Sequence, residues 1–125
     1  MNMIDDPAIE IQPYDAQAQM LRVLAHPARL AILNVLRDGE HCVCHMQALL
    51  GYRQAYISQQ LMVLREAGLI QDRRDGWNVF YRVAEPRIFA VLTAGELIVA
   101  PENKSSKPRR DIACSCPKCS GGRSV

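Results

Sequence analysis

A helix pattern that runs directly into a hairpin pattern, between residues 53 and 83, constrains this chain more than any other feature. At about 100° per residue, the helix has one apolar stripe and an opposite, glutamine-rich face. Two strand patterns then flank Asp75-Gly76, a pair typical of a type I′ turn, whose two central residues both need positive φ. One face of the helix can therefore pack, and a hairpin with arginines in its first strand follows. The apolar stripe consists of Ile57, Leu61 and Leu64.

Three further helix patterns precede this unit. Asp15 is predicted to cap the first, and Pro27 stands at the first position of the second, which runs to a glycine stop at Gly39. A short third helix is predicted over residues 42–50 and ends at Gly51. A helix, a tight connection, a second helix and a hairpin are the order of a winged helix-turn-helix. The predicted fold class is mainly α with a β-hairpin wing.

The last helix pattern begins at Pro86 and is apolar along one stripe. This stripe suits either ordinary core packing or a homodimer seam made with the first helix. We favour the homodimer through the first and last helices, because the three other helices and the wing leave little for two further apolar stripes to cover. The chain is thus predicted to divide into a flexible arm (1–14), a winged-helix DNA-binding and dimerisation domain (15–100) and a flexible Cys-rich tail (101–125).

Charge distribution is more informative than total charge. The net charge of +2 is too small to indicate nucleic-acid binding by itself. Residues 53–82, however, carry five arginines against three acids. Neither a signal-peptide pattern nor a long apolar run occurs, so we expect a soluble, cytoplasmic protein with no membrane segment. Five cysteines in that compartment indicate reduced thiols or metal ligands rather than disulfides.

Cys42 and Cys44 stand where the third predicted helix begins. On a regular helix, residues two apart lie about 200° apart, so both sulfurs face one ion only where the first turn is unformed or distorted. A helix N-terminus lowers the pKa of a thiol and favours the thiolate that soft ions bind. Two partly buried, inert cysteines are the alternative. His41 and His45 flank the pair and are interpreted as solvated or capping residues rather than zinc ligands.

Three more cysteines, in the sequence CSCPKC, lie in the tail. They can bind an ion alone, or one or two of them can join Cys42 and Cys44 in a site of three or four sulfurs. A flexible linker of about 15 residues typically spans about 20 Å, which is enough to reach. A structural zinc knuckle and an adventitious Cys-rich tail remain as alternatives. The tail cysteines are Cys114, Cys116 and Cys119.

Four blocks follow one another between about residues 20 and 84: LAHPARLAILNVL, GEHCVCHMQALLG, YISQQLMVLREAGLI and RRDGWNVFYRV. As a set they resemble the ArsR/SmtB family of small, winged-helix, metal-responsive repressors. The resemblance implies a homodimer that binds double-stranded operator DNA near its own promoter. It also implies that the operator is released when a metal or metalloid ion binds.

The resemblance assigns roles to the cysteines. The arsenic- and cadmium/lead-sensing branches carry the same CVC at the start of the helix before the recognition helix, so Cys42 and Cys44 are expected ion ligands. The third cysteine of the arsenic prototype corresponds to Gln47 here, and the N-terminal arm has no cysteine. The tail cysteines are therefore expected to complete the site. Residues 87–99 contain no Asp or His, so the last-helix site of the zinc and cobalt sensors is expected to be absent.

The candidate DNA contacts lie on the recognition helix and the wing. Gln60 stands where the family usually has histidine and Ala55 where serine is common, so an operator sequence does not transfer. Trp77, beside the wing turn, is given no role. Candidate contacts to base edges are Gln54, Tyr56, Ser58 and Gln59, and candidate contacts to phosphates are Arg53, Arg73 and Arg74.

These features predict a transcriptional repressor, not an enzyme, that leaves its operator on binding arsenite or antimonite through cysteine thiolates. Cadmium, lead or zinc sensing by the same cysteines is the alternative, as is a thiol redox or persulfide sensor. A metal-handling chaperone or enzyme is disfavoured, since no general base, nucleotide loop or substrate motif accompanies the tail.

Overall fold

The computed structural model describes residues 12–99, which form the predicted winged helix-turn-helix. Cys114, Cys116 and Cys119 lie outside the described residues, as does most of the N-terminal arm. Within residues 12–99, no helix is both long enough and apolar enough to span a membrane. The elements are α1 (Gln12–Leu24), α2 (Pro27–Val35), a 3-10 helix (Leu36–Asp38), β1 (His41–Cys42), α3 (Val43–Leu50), α4 (Gln54–Glu66), β2 (Ile70–Asp75), β3 (Asn78–Val83) and α5 (Ile88–Val99).

Capping residues set most helix ends where the sequence predicts them. His26 caps α2, since its Nδ1 accepts a hydrogen bond from the Ala28 N–H at 3.2 Å, and Pro27 follows at the first position. Gly39 stops the 3-10 helix with a φ of 138°, which suits glycine. The prediction for α1 was wrong: the helix begins at Gln12 and takes in part of the predicted arm. Asp15 therefore lies within the first turn, where its carboxylate faces the positive end of the helix dipole.

The core lies between α2, α4 and the base of the wing. The predicted stripe of α4 is confirmed, since Ile57, Leu61 and Leu64 are at most 1% exposed. Gln60 lies beside them and is the buried polar side chain of the described residues, at 7% exposure. Burying a polar group is costly unless it is hydrogen-bonded, so Gln60 needs a partner inside the fold.

The sheet has a third strand that the sequence pattern did not predict. Its order is β1-β3-β2, and β1 pairs antiparallel with β3, with His41 opposite Tyr81 and Cys42 opposite Phe80. A strand of two residues is too short to show the alternation from which strands are predicted. Because β1 leads directly into α3, the start of that helix is fastened to the wing.

The wing turn lies one residue later than predicted. Asp75 pairs with Asn78, so Gly76 and Trp77 occupy the two central positions. Gly76 has a φ of 64°, and no non-glycine residue of the described range has a positive φ. The predicted type I′ turn centred on Asp75-Gly76 is therefore wrong, and glycine at the first central position is typical of type II′. The Trp77 side chain stands at the tip, 98% exposed.

The last helix contributes to the core only along its first half. It begins at Ile88, after a turn in which the Phe89 N–H donates to the Pro86 carbonyl at 3.1 Å. Ile88 and Leu92 are buried. The apolar side chains that follow remain exposed in this single chain, at 60% for Leu97 and about 80% for its last two residues.

Candidate functional site

The two cysteines of the CVC sequence lie side by side where α3 begins. Cys42 is the N-cap, with an extended backbone (φ −90°, ψ 167°), and its Sγ accepts a hydrogen bond from the His45 N–H at 3.4 Å. The Sγ atoms of Cys42 and Cys44 are 2.7 Å apart. Because Cys42 stands outside the helix, the separation of about 200° that a regular helix would impose does not apply. Cys42 is buried and Cys44 is exposed, so the pair faces solvent on one side.

Two histidines border the cysteine pair. The rings of His41 and His45 stack with centroids 4.4 Å apart and planes 7° apart. His41 Nε2 lies 2.9 Å from the Asp38 Oδ1, and only 11% of the His41 side chain is exposed. The interpretation of His41 as a solvated residue is therefore wrong. Among the described residues no cluster of three or more His, Cys, Asp or Glu is arranged to hold a metal ion.

Cys42 is also the first member of a row of side chains across the sheet. Cys42 lies opposite Phe80, and Phe80 lies opposite Arg73. The Arg73 guanidinium stands 5.0 Å above the centre of the Phe80 ring and donates to both carboxylate oxygens of Glu40, at 2.7 and 3.0 Å. The hydrogen bonds to Glu40 raise the pKa of Arg73 above its ordinary value. The wing is thus tied to the segment that carries the cysteines.

The two wing arginines proposed as phosphate contacts have different surroundings. Arg73 is turned toward Glu40 and lies 4.0 Å from the Asp75 carboxylate. Arg74, in the next row of the sheet opposite Val79, is exposed and forms no ion pair within residues 12–99. Of the two, Arg74 has the guanidinium that can take a phosphate without first giving up a carboxylate.

The proposed contacts on the recognition helix do not all lie on its outer face. Tyr56 is half-buried: its hydroxyl lies 3.4 Å from His26 Nε2, and its ring centre is 5.1 Å from that of Tyr52. Tyr56, one of the predicted contacts to base edges, therefore does not lie on the exposed face of α4. Its side chain fixes α4 against the capping residue of α2. The candidates that do lie exposed are Arg53, Gln54, Ser58 and Gln59.

A partly buried hydrogen bond that sequence reasoning missed also holds α4. Arg29 Nε donates to Gln60 Oε1 at 2.8 Å, and the same guanidinium donates to the Val23 carbonyl at 3.1 Å. One side chain of α2 therefore joins the end of α1 to the recognition helix. The signal was present in the sequence, because Gln60 interrupts the apolar stripe at a position that must face the core.

Comparisons with known proteins agree with this architecture. A family model described as a bacterial regulatory protein of the arsR family matches residues 26–72. The biofilm growth-associated repressor of Agrobacterium fabrum is 42% identical over 97 residues, which cover 77% of this chain and 82% of the relative.

Two solved structures give the same match in three dimensions. The transcriptional repressor BigR of Xylella fastidiosa shares 33% identity, with a TM-score of 0.62 over 76% of this chain and 94% of that one. The homodimeric winged helix-turn-helix DNA-binding domain Mb0332 of Mycobacterium bovis shares 25% identity, with a TM-score of 0.64 over 82% of this chain and 92% of that one. The present chain belongs to the ArsR family of bacterial regulatory proteins, and it is a transcription regulator rather than an enzyme.

Proposed function

We propose that this chain is a cytoplasmic, homodimeric repressor that leaves its operator when a thiophilic ion binds at Cys42 and Cys44. The observation that carries the proposal is the contact of the two sulfurs, 2.7 Å apart, at the cap of α3. From α3 the connection of residues 51–53 leads directly to the recognition helix α4. The name of the 42% identical relative, a repressor, supports the direction of regulation.

The donor set fits a soft ion. Two thiolates are ligands that soft ions prefer, and the helix N-terminus with the His45 N–H favours negative charge on the Cys42 sulfur. When bound, the ion would draw the two sulfurs and at least one more ligand into a single rigid set. We propose arsenite or antimonite as the inducer, since a site of three sulfurs suits them, and cadmium, lead or zinc as the alternative. The further ligands that we propose are Cys114, Cys116 and Cys119.

A shift in the position of Cys42 can be transmitted to α4 and to the wing, the two elements proposed to contact DNA. As the cap of α3, it sets the start of the helix that packs against α4. As the residue opposite Phe80, it is joined through that ring and Arg73 to the wing. A shift of Cys42 would therefore move the recognition helix and the wing relative to those of the second subunit. Allostery needs no more than a different fit of the two states to DNA.

We propose that α1 and α5 form the dimer seam. The end of α5 exposes Leu97, Ile98 and Val99, and α1 exposes Tyr14 and Leu21 at 61% and 44%. Apolar surface of this extent on two helices is typical of an interface. The description of Mb0332 as homodimeric supports this assignment. A two-fold dimer presents its recognition helices to two half-sites one helical turn of DNA apart.

The DNA roles are proposed according to exposure. Arg53 and Arg74 are assigned to phosphates, which fix the position of the protein without reading sequence. Tyr56 and Arg73 are assigned to positioning α4 and the wing. The side chains proposed to reach base edges are Gln54, Ser58 and Gln59.

Arg74→Ala is expected to weaken operator binding about equally on all sequences and to lower the slope of log affinity against log salt by about one. Arg73→Ala is expected to leave this slope nearly unchanged, because Glu40 already holds its guanidinium. Fluorescence anisotropy with labelled duplex over a series of salt concentrations measures both slopes. An equal fall in slope for the two variants would show that Arg73 leaves Glu40 to bind a phosphate.

Truncation after Pro101 is expected to leave a dimeric, operator-binding protein whose response to ions is much weaker or lost. Ordering the tail costs about 1–2 kcal/mol per fixed residue, which strong metal–thiolate bonds can exceed. Absorption by sulfur-to-metal charge transfer, recorded for each ion with the full and the truncated chain, measures the loss of ligands. Full-strength operator release by the truncated chain would show that Cys42 and Cys44 suffice without the tail.

The contact of the two sulfurs also supports a second candidate function, a thiol redox or persulfide sensor on the same scaffold. In that case operator release would require an oxidant or a sulfur donor and no ion. The two functions separate under reducing conditions, where only an ion sensor responds.

A further inference from the structure

The tip of the wing carries an aromatic side chain that the proposed function does not use. Trp77 is the only tryptophan of the chain and is 98% exposed. It stands at the second central position of the turn between β2 and β3. The indole is among the largest apolar surfaces that a side chain can offer, and it gains most from a partner that removes it from water.

The backbone at Trp77 is held at a defined place by the hairpin, so the position from which the side chain projects is fixed. The ladder of β2 and β3 continues to its last pair, Asp75 with Asn78, directly beneath the turn. Gly76 supplies the positive φ, 64°, that the tight turn requires. A two-residue turn on a closed ladder leaves the backbone little freedom, so a contact made by the indole orders the side chain but little of the backbone.

The charges near the tip favour an anionic partner. Both acids of the wing have an arginine nearby: Asp72 lies 3.3 Å from Arg65, and Asp75 lies 4.0 Å from Arg73, which Glu40 also binds. Arg74 is exposed near the same tip and forms no ion pair within residues 12–99. An exposed indole three residues along the chain from an available guanidinium suits a polyanion that also presents flat, apolar faces. Nucleic acid has both properties, whereas an acidic protein surface has only the first.

The wing is also continuous with the helix that is proposed to read DNA. The end of α4 is joined to the start of β2 by the bond from the Leu69 N–H to the Leu64 carbonyl, at 3.0 Å. Leu64, Leu69 and Ile70 are all buried at this junction. The hairpin is therefore anchored to α4, and DNA lying along α4 passes close to the wing.

We propose that Trp77 inserts its indole against a base step in the minor groove of the operator, beside the segment that α4 reads in the major groove. This inference rests on the proposed function and adds a residue and a mode of readout to it. An apolar wedge partly unstacks a base step, and pyrimidine–purine steps yield most easily. The wing would then favour operators with a flexible base step at a position where the protein makes no hydrogen bond to a base.

The test uses the full chain and a fluorescein-labelled duplex taken from directly upstream of its own coding sequence. Fluorescein anisotropy reports binding, and tryptophan emission reports the surroundings of Trp77 alone, since the chain has no other tryptophan. We expect the duplex to quench this emission and to protect it from acrylamide in proportion to the complex formed. Trp77→Ala is expected to weaken binding by about 5- to 150-fold, the range of base–aromatic stacking, and Trp77→Phe by much less.

Two comparisons complete the design. Leu30→Ala removes another exposed apolar side chain, 39% exposed on α2, and is expected to leave binding unchanged. In a second duplex, a stiff A-tract replaces the pyrimidine–purine steps on either side of the segment that α4 contacts. This change is expected to weaken binding by the wild type more than binding by the Trp77→Ala variant. An equal loss of binding by the two proteins would contradict the proposal that Trp77 inserts against a base step.

Three further outcomes separate failure of the Trp77 inference from failure of the proposed function. In the first, anisotropy reports binding, tryptophan emission stays constant, and Trp77→Ala binds as tightly as the wild type. This result overturns the inference and leaves the proposed function intact. Emission that changes with protein concentration in the absence of DNA shows that a second copy of the chain covers the ring, and also overturns the inference. Absence of binding by every protein on every duplex removes the proposed function itself.

Discussion

Replacing Cys42 or Cys44 by serine is expected to abolish the effect of the ion on operator affinity while leaving the affinity without ion within about 2-fold of the wild type. Each substitution removes one of the two sulfurs that lie 2.7 Å apart. Serine at position 42 is itself a good N-cap, so its oxygen can accept the bond that the sulfur accepts from the His45 N–H. The ion-dependent loss of affinity, typically about 5- to 150-fold for allosteric coupling, should therefore disappear in a folded protein.

Operator affinity measured by anisotropy, with and without arsenite, tests this expectation. Val43→Thr is the matched control, since it changes the residue between the two cysteines and keeps both sulfurs. The control should respond to arsenite as the wild type does. Two results would count against the site: a response retained by both serine variants, or an equal loss of DNA affinity in both without any ion. The second would place the sulfurs on the DNA-binding surface.

Arg29→Ala is expected to lower the free energy of unfolding by about 1.5–3 kcal/mol, the usual range for a hydrogen bond from a charged group. The substitution leaves the Gln60 amide, 7% exposed, without the donor that lies 2.8 Å from its oxygen. It also releases the Val23 carbonyl, which the same guanidinium holds at 3.1 Å. Operator affinity should fall as well, because α4 loses one of the bonds that fix its position relative to α1 and α2.

Urea unfolding followed by circular dichroism, at one protein concentration, measures the loss in Arg29→Ala. Arg22→Ala is the control, since that guanidinium bonds the Gln19 side chain on the exposed surface of its own helix, and it should change stability by less than about 0.5 kcal/mol. Replacing both Arg29 and Gln60 by leucine should recover much of the stability but not the operator affinity. If Arg29→Ala were no more destabilising than Arg22→Ala, the bond between Arg29 and Gln60 would have no role in holding α4.

Local patterns explain which parts of the fold could be predicted. The apolar stripe of α4, the proline at the start of α2 and the glycine after α3 each act within a few residues, and the structure confirms them. The first strand could not be predicted, because its two residues form a strand only where β3 lies beside them. The turn lies one residue later than predicted because the ladder extends to Asp75 and Asn78. This pairing overrides the preference of Asp-Gly for a type I′ turn.

The same distinction applies to the surroundings of the candidate site residues, some of which could be predicted from the sequence and some not. The contact of Cys42 with Cys44 depends only on their spacing and on the start of α3 between them, both of which can be read from the sequence. Tyr56 was predicted to contact DNA because it lies outside the apolar stripe of α4, and Arg73 because it is a basic residue of the wing. Their partners are far away in the chain, 30 residues for the contact of Tyr56 with His26 and 33 for that of Arg73 with Glu40. No local pattern shows such pairs, and the ligand role of the tail cysteines remains a prediction.

The measurement that tests the account most directly is the operator dissociation constant of the full chain, with and without arsenite, in a non-thiol reductant. A thiol reductant would compete for the ion, and the absence of an oxidant excludes disulfide formation. We predict that arsenite weakens operator binding by about 5- to 150-fold and that operator DNA weakens arsenite binding by the same factor, as linkage requires. An operator affinity that stays constant with arsenite, antimonite, cadmium, lead and zinc, but falls when an oxidant replaces the reductant, would contradict ion sensing and establish the redox alternative.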